Sequence, residues 1–261
     1  MTVWTSVGSF AEALQRAESD RRQVPPLTAD GPVTIDDAYA VQLANVARRV
    51  ASGERIVGKK VGLTAKAMQR MLGVESPDYG HLFEAMQVPD GGSMPASELM
   101  QPRVEAEIAV ILARPLRGPG LTDLDVLAAL EAIVPAIEII DTRITDWKIT
   151  LADTIADNGS SARFVLGAKR SGPLGIDLRT AGMVLEKNGE TVGTGAGAAV
   201  LGAQPLRAVA WLANTLAAFG VTLEAGEIVL PGALSAAVPV AAGDTVRADF
   251  GILGSATVRF T

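Results

Sequence analysis

Arg103-Val-Glu-Ala-Glu-Ile-Ala-Val-Ile-Leu112 begins with alternating polar and apolar side chains and ends as a wholly apolar run. This pattern predicts a β-strand whose second half lies in a hydrophobic core. Because alternate side chains of a strand share a face, we expect Arg103, Glu105 and Glu107 on one face and the residues between them on the other. The segment therefore places two carboxylates side by side on an otherwise apolar element.

Two neighbouring carboxylates repel each other and are costly to bury, and a bound cation removes both costs. Hard divalent ions such as Mg²⁺ or Mn²⁺ prefer carboxylate oxygen. Glu138 is the natural third ligand, because it is the lone charge within Val134-Pro-Ala-Ile-Glu-Ile-Ile140. The alternative, which spacing alone leaves equally open, is that Glu105 and Glu107 lie on a solvated face while Glu138 pairs with Arg143.

The segments around this strand mix helices and strands. The capping-box pattern Ser9-Phe-Ala-Glu12 predicts the start of a first helix, and Thr34 predicts the start of a second helix that ends at Gly53. Asn188-Gly189 predicts the turn of a β-hairpin, and the spacing of apolar residues predicts a helix over residues 205–219. Because no regular βαβ rhythm occurs, the predicted fold class is α+β rather than a doubly wound sheet.

Length and composition limit the remaining possibilities. The 261 residues, 48% of them hydrophobic, predict a single catalytic domain over residues 1–261, with a helical N-terminal region (1–55) and a β-rich metal-binding core (56–261). A net charge of −6 lacks the basic excess that nucleic-acid binding requires, so we expect no nucleic-acid partner. The absence of cysteine excludes disulfides, thiolate nucleophiles and zinc–cysteine sites. With no long apolar run and no signal-peptide pattern, we expect a cytoplasmic protein without a membrane partner.

Other segments could also carry reactive groups. Lys60 lies in Val57-Gly-Lys-Lys-Val-Gly-Leu-Thr64, where the glycines would let a ligand approach the backbone, although two surface lysines would give the same pattern. Asp78 and the segment Ala156-Asp-Asn-Gly-Ser160 lie in turn-like sequences that could be plain loops or reactive ones. His81, the only histidine, is interpreted as structural.

A glycine-rich stretch needs a separate interpretation. Gly193-Thr-Gly-Ala-Gly-Ala-Ala-Val200 lacks the G-x-G-x-x-G order and follows a predicted hairpin rather than opening a βαβ unit. We therefore interpret these glycines as positions of close backbone packing, not as a dinucleotide-binding loop.

Six segments, in this order and spacing, resemble the 2-keto-4-pentenoate hydratase family of the fumarylacetoacetate hydrolase superfamily. The resemblance extends from about residue 37 to the C-terminus. It rests on Ile56-Val-Gly-Lys-Lys-Val-Gly-Leu-Thr64, Pro77-Asp-Tyr-Gly80, Gln101-Pro-Arg-Val-Glu-Ala-Glu107, Asp146-Trp-Lys148, Ala156-Asp-Asn158 and Trp211-Leu-Ala-Asn214.

The resemblance implies a mixed β-roll fold with an N-terminal helical region and a Mg²⁺ or Mn²⁺ ion as cofactor. The implied metal ligands are Glu105, Glu107 and Glu138, which favours the metal-binding interpretation of these carboxylates. Lys60 and Asp78 are the implied catalytic residues, and Thr64 and Ser160 are implied to bind substrate. Gly159 departs from the family's usual Ala-Asp-Asn-Ala-Ser pattern, which has alanine at that position.

The implied reaction is the addition of water to 2-hydroxypenta-2,4-dienoate, giving 4-hydroxy-2-oxopentanoate in the meta-cleavage breakdown of aromatic compounds. The resemblance also implies a homo-oligomer that could associate with a sibling enzyme of the pathway. The main alternative is 4-oxalocrotonate decarboxylase of the same superfamily, which Ser235-Ala-Ala-Val-Pro-Val240 resembles. Asp78 favours the hydratase, because decarboxylases have an apolar residue there and need no acid to activate water. A second alternative is a non-catalytic binding or scaffold subunit.

Overall fold

The computed structural model of the protein describes residues 6–66, 69–70 and 73–261. In this part of the chain the α-helices fall into an N-terminal pair, two short helices and one long helix near the C-terminus. They are α1 (Val7–Asp20), α2 (Ile35–Ala51), α3 (Asp123–Ala129), α4 (Leu151–Ala156) and α5 (Pro205–Ala217). None of the described helices is long and apolar enough to cross a membrane.

The larger of the two sheets has eight strands among the described residues, and most of its neighbours are antiparallel. Its order is β2-β1-β10-β5-β6-β7-β3, with β11 paired to β5 outside this path. Only β1–β10 and β3–β7 run parallel within the described sheet. The strands are β1 (Ile56–Gly62), β2 (Asp78–Phe83), β3 (Gln87–Val88), β5 (Arg103–Leu112), β6 (Leu130–Ile140), β7 (Ser161–Leu166), β10 (Ile228–Leu230) and β11 (Val238–Pro239).

The smaller sheet has five described strands in the order β4-β13-β12-β8-β9. They are β4 (Ser93–Met94), β8 (Gly182–Lys187), β9 (Glu190–Ala196), β12 (Thr245–Asp249) and β13 (Ser255–Phe260). The predicted hairpin is confirmed, because Asn188 and Gly189 connect β8 to β9 with positive φ angles. The predicted close packing is also confirmed, since a Cβ atom at Gly195 would lie 1.9 Å from the carbonyl oxygen of Leu234. Mixed sheets with segregated helices confirm the α+β class.

Two hydrophobic clusters lie on opposite faces of the larger sheet. On β5, Val104, Ile108 and Val110 join a core shared with α5 and the smaller sheet. Ala109 and Ile111, on the other face, join a second cluster with residues of β2, β6 and β10. The alternation predicted from the sequence is therefore present, and it sets Glu105 and Glu107 on the face of the second cluster.

The N-terminal helices pack against α4 and against Ile144, which follows β6, through a third apolar cluster. Helix α2 begins at the predicted cap, where the Thr34 side chain accepts a hydrogen bond from the backbone N–H of Asp37. The predicted cap of α1 is wrong by one turn. Ser6 caps the helix and Ser9 occupies its third position, so the Ser9–Glu12 pattern lies inside the helix.

His81 is buried on β2, and its hydrogen bonds fix its protonation state. The Gln42 side-chain N–H₂ group donates to two backbone carbonyl oxygens, which leaves Gln42 Oε1 as the acceptor facing His81 Nδ1 at 3.1 Å. The Nδ1 atom therefore carries the proton of a neutral ring. Burial, with a smaller contribution from Lys59, lowers the pKa of His81 to about 4. This is consistent with a structural histidine.

A neutral buried histidine predicts a specific loss of stability in acid. The unfolded chain binds a proton near pH 6.5 while the folded chain does so only near pH 4, so stability falls as the pH drops through this window. We expect His81 to account for a loss of about 2 kcal/mol between about pH 7 and pH 5. Urea unfolding of His81→Gln at both pH values should show a correspondingly smaller loss than the wild type. Equal losses in the two proteins would show that His81 does not titrate in this way.

Candidate metal centre and active site

The pairing of β5 with β6 brings the three predicted glutamates together. Glu105 lies directly opposite Glu138 in the antiparallel register, and Glu107 is the next residue along the same face of β5. Each of the three offers a carboxylate oxygen within 4.8 Å of the others. The structure thus assembles a three-carboxylate cluster from one cross-strand pair and one residue two positions further along.

This cluster is costly without a cation. Burial, followed by the charge of Glu138, raises the pKa of Glu105 to about 7 and the pKa of Glu107 well above its usual range. Glu107 Oε1 and both carboxylate oxygens of Glu138 are buried without a hydrogen-bond partner in the described part of the chain. Carboxylate oxygen atoms without a hydrogen-bond partner are the ligands that a hard divalent cation prefers. The residues present therefore fit a divalent metal ion, and the interpretation of Glu105 and Glu107 as a solvated face is wrong.

Backbone geometry orients Glu107. The backbone N–H of Gly232 donates a 2.7 Å hydrogen bond to Glu107 Oε2, leaving Oε1 for a ligand. Gly232 has a φ of +121°, and a Cβ atom there would lie 2.1 Å from Thr64 Oγ1. Only glycine fits both demands without strain. The predicted substrate-binding residue Thr64 thus lies beside the acidic cluster, and it is buried.

Lys60 reaches the cluster from β1, which β10 separates from β5 in the sheet. Its Nζ atom donates to the carbonyl oxygen of Gly159 at 2.9 Å and lies 3.4 Å from Glu138 Oε2. Burial alone would lower the pKa of Lys60, but the surrounding carboxylates, led by Glu138, raise it above its usual value. Lys60 is therefore a buried cation. The alternative of two surface lysines is wrong, because Lys59 is also buried and pairs with Glu227 at 3.1 Å.

Asp78 begins β2 and is 1% exposed. Thr154 Oγ1 donates to its Oδ2 atom at 3.3 Å, whereas Oδ1 has no hydrogen-bond partner among the described residues. A Cβ atom at Gly62 would lie 2.1 Å from this free oxygen, so the glycine makes room for the carboxylate. Burial raises the pKa of Asp78 and the charge of Lys60 partly opposes that shift. Asp78 therefore keeps its proton to a higher pH than an exposed aspartate does.

Ser160 and Arg143 both contact Asp157, which lies at the turn between α4 and β7. Ser160 lines the same cavity as Lys60, and its hydroxyl donates to Asp157 Oδ2 at 3.2 Å. The predicted alternative pairing of Arg143 with Glu138 is wrong. Arg143 Nε instead contacts Asp157 Oδ1 at 2.5 Å, because the turn brings Asp157 back towards the end of β6.

Five of these residues line one cavity of about 410 Å³, large enough for a small organic acid: Lys60, Thr64, Asp78, Glu105 and Ser160. Glu105 is the member of the acidic cluster on the cavity wall, and Glu107 and Glu138 are fully buried beside it. Sequence reasoning assigned no role to several of its wall residues, including Thr154, Trp147 and Gly232. Arg103 also lines it, with its guanidinium 4.7 Å from the centre of the Trp147 ring. A lone aromatic residue or glycine gives no local sequence signal that it lines a cavity, because the cavity is formed by residues distant in sequence.

A curled mixed sheet that carries an acidic cluster, with a buried lysine, a buried aspartate and Glu105 around one cavity, defines an α+β enzyme with a candidate divalent-metal centre. The chain belongs to the fumarylacetoacetate (FAA) hydrolase family, whose C-terminal domain matches residues 50–261.

Similar proteins of known activity include both hydratases and a decarboxylase. The chain is 47% identical to 2-hydroxyhexa-2,4-dienoate hydratase of Comamonas testosteroni, with 96% of each chain covered. It is 51% identical to 2-hydroxypent-2,4-dienoate hydratase of Pseudomonas putida, covering 83% of this chain and 98% of that one. The structure of 4-oxalocrotonate decarboxylase from Pseudomonas putida G7, complexed with magnesium and adipate, superposes with a TM-score of 0.94 at 44% identity. That match covers 98% of this chain and 97% of the decarboxylase.

Neutralising one member of the acidic cluster should separate metal binding from folding. We expect Glu107→Gln to weaken Mg²⁺ or Mn²⁺ binding at least about 100-fold, because a ligand and its charge are lost. The metal-free variant should unfold at the same or higher urea concentration than the wild type, since the repulsion within the cluster falls. Calorimetric titration with each ion and urea unfolding in chelator measure the two effects.

Glu131→Gln provides the matched control, because Glu131 lies on β6 as Glu138 does but is exposed and pairs with Arg170. Its metal affinity should equal that of the wild type. Unchanged metal affinity in Glu107→Gln would show that the cluster is not the metal centre.

Proposed function

We propose that this protein is a hydratase that converts 2-hydroxypenta-2,4-dienoate and water into 4-hydroxy-2-oxopentanoate, in the meta-cleavage catabolism of aromatic compounds. The observation that carries the proposal is the position of Asp78. Asp78, which has an unpartnered and buried carboxylate oxygen, lines the same cavity as Lys60 and Glu105 of the acidic cluster. The identities of 47% and 51% to hydratases of 2-hydroxydienoates support the same substrate class.

We propose that Glu105, Glu107 and Glu138 hold Mg²⁺ or Mn²⁺. When bound, such an ion supplies Lewis-acid stabilisation of the negative charge that develops on the oxygen atoms of the 2-oxo acid. Glu105 is the member of the cluster that lines the cavity, so substrate oxygen atoms would approach the cluster from there. Thr64 and Ser160, which line the same cavity, are proposed to contact the substrate.

Two proton-transfer groups match the two stages of the reaction. The dienol must first gain a proton at C5 and lose the proton of its 2-hydroxyl group, which gives an α,β-unsaturated ketone. Water then adds at C4 as its oxygen loses a proton and C3 gains one. Lys60 is a buried cation and can donate a proton, whereas Asp78 has a free oxygen that can accept one from water. We propose that these two residues share the transfers and that Asp78 handles the water.

The whole chain is proposed to act as one catalytic domain over residues 1–261. The N-terminal region (1–55) supports the core directly, because Gln42 of α2 donates hydrogen bonds to the carbonyl oxygens of Tyr79 and Ile155. These two residues neighbour Asp78 and Thr154, which form a hydrogen bond in the active site. We further propose that the protein is cytoplasmic and a homo-oligomer, which could associate with a sibling enzyme of the same pathway.

The second candidate is 4-oxalocrotonate decarboxylase activity, and Arg103 is the observation that favours it. This cation lines the cavity, and no carboxylate among the described residues forms an ion pair with it. A free guanidinium could receive the second carboxylate of a dicarboxylic substrate. The structural match to the decarboxylase supports this candidate as well.

A direct assay distinguishes the two activities. Freshly prepared 2-hydroxypenta-2,4-dienoate should lose its dienol absorbance rapidly in the presence of the protein and Mg²⁺ or Mn²⁺, and only slowly after chelation. The product should be 4-hydroxy-2-oxopentanoate. Release of CO₂ from 4-oxalocrotonate at a higher kcat/KM would favour the decarboxylase, and no turnover of either compound would favour a binding or scaffold role.

Substitution of the acid should uncouple the two stages of the reaction. We expect Asp78→Asn to slow water addition by about 100-fold or more and to slow ketonisation much less, because only water addition needs an acceptor at this position. Deuterium incorporation at C5 followed by NMR measures ketonisation, and formation of the 4-hydroxy product measures hydration. Asp249→Asn, at an exposed aspartate of β12, is the control. Equal losses in both stages would contradict the role of Asp78 in handling water.

A further inference from the structure

The turn from Asp157 to Ser160, here called the lysine-anchoring turn, fixes the ammonium group of Lys60. Lys60 Nζ donates to the carbonyl oxygen of Gly159 at 2.9 Å, which is the only hydrogen bond of this ammonium within the described residues. A Cβ atom at Gly159 would lie 3.0 Å from Lys60 Cδ, so the turn also packs closely along the lysine side chain. The position of the turn therefore sets the position of the ammonium group.

The backbone of this turn is in an unfavourable conformation. Asn158, Gly159 and Ser160 have φ angles of 58°, 62° and 54°, so three consecutive residues are left-handed and two of them are not glycine. A non-glycine residue in this region is strained, because its Cβ atom crowds the neighbouring backbone. Such a turn persists only where surrounding contacts hold it in place.

Two sets of contacts hold the turn. The side chain of Asn158 forms two hydrogen bonds with the backbone of His81, and Arg143 holds Asp157 at the start of the turn. The Arg143 Nε atom donates to Asp157 Oδ1 at 2.5 Å, and its Nη2 atom donates to the backbone carbonyl oxygen of the same residue. Its backbone N–H donates to Asp157 Oδ2, which also accepts hydrogen bonds from the hydroxyls of Thr142 and Ser160. The guanidinium thus forms hydrogen bonds with both the side chain and the backbone of Asp157, the first residue of the turn.

We propose that Arg143 is a positioning residue of the reaction, which holds the lysine-anchoring turn and thereby places the ammonium group of Lys60. This inference rests on the proposed function only in assigning a proton transfer to Lys60. Arg143 lines a second cavity, of about 310 Å³, together with Asp157, Asn158 and Ser161. Gly159 and Ser160 line the active-site cavity instead, so the turn forms a wall between the two. Arg143 therefore acts from behind the active site without touching substrate.

The matched substitution is Arg143→Lys, which keeps the charge but cannot donate from two nitrogen atoms to Asp157. We expect kcat to fall about 100-fold, since displacement of a catalytic group by about 1 Å has an effect of this size. The Mg²⁺ affinity should change less than about threefold, because Arg143 contacts none of the three glutamates. KM should rise by a smaller factor than kcat falls, because Ser160 belongs to the turn. Arg163→Lys, in the ion pair of β7 with Glu98, is the control and should keep the kcat of the wild type.

A double-mutant cycle tests whether Arg143 acts through Lys60. In a Lys60→Met background, Arg143→Lys should cost little further activity, because the group that it positions is already absent. If the two substitutions are additive, the proposal is wrong. If Arg143→Lys does not fold, Thr142→Val removes one of the donors to Asp157 and should lower kcat in the same non-additive way, but by less.

Free guanidinium supplies a complementary test. At millimolar concentration it should restore part of the kcat of Arg143→Ala, because the second cavity opens behind the missing side chain, while methylammonium should not. Equal effects of the two cations would contradict the proposed role of the two hydrogen bonds from the guanidinium to Asp157.

A crystal structure of Arg143→Lys separates this inference from the proposed function, since it needs no substrate. We expect the left-handed φ angles of the turn to relax and the hydrogen bond from Lys60 to Gly159 to be lost. An unchanged turn and an unchanged Lys60 would overturn the inference even if the hydratase activity is confirmed. A displaced Lys60 would support it even if the substrate proved to be a different acid.

Discussion

Repulsion among three clustered carboxylates, two buried and one half-buried, is the constraint on which the active site depends. Glu105 and Glu138 face each other across two central strands, and Glu107 adds a third charge on the same surface. Few buried groups are so costly, as the raised pKa of Glu105, about 7, shows. A fold that needed only a stable core would place apolar residues here, as it does immediately beyond at Ala109 and Ile111. The chain instead keeps an arrangement that a divalent cation stabilises, so its stability at this site is linked to binding.

Backbone groups around the cluster fix the positions of the charged side chains. Gly232 presents an N–H to Glu107 from a backbone conformation that requires glycine, and Gly62 leaves space for Asp78. Lys60, the cation that meets the cluster directly, is held by a backbone carbonyl rather than by a flexible side chain. Polar groups fixed in this way need little rearrangement when charge develops on a substrate.

Local sequence patterns predicted the faces of strands but not their partners. The alternation around Glu105 and Glu107 placed both on one face, and the lone charge of Glu138 marked the third member of the cluster. Their meeting depends on the β5–β6 register, which no local pattern encodes. Arg143 shows the same limit, because its partner Asp157 is brought close by an irregular turn. The resemblance to a known family supplied the roles of Lys60 and the other site residues, which spacing alone left open.

Hydratases and a decarboxylase match this chain at similar identity, so the features they share cannot decide between the two reactions. Both reactions need an electron sink next to the 2-oxo acid, which a divalent ion held by the acidic cluster would provide. The difference must lie where the bond that changes is located. There, loss of CO₂ requires no base, whereas addition of water requires an acceptor for its proton. Asp78 offers such an acceptor, with one carboxylate oxygen held by Thr154 and the other free, and a glycine at position 62 keeps that oxygen accessible. A buried aspartate kept partly unpaired costs stability, and water activation is the chemistry in the proposed reaction that makes use of it.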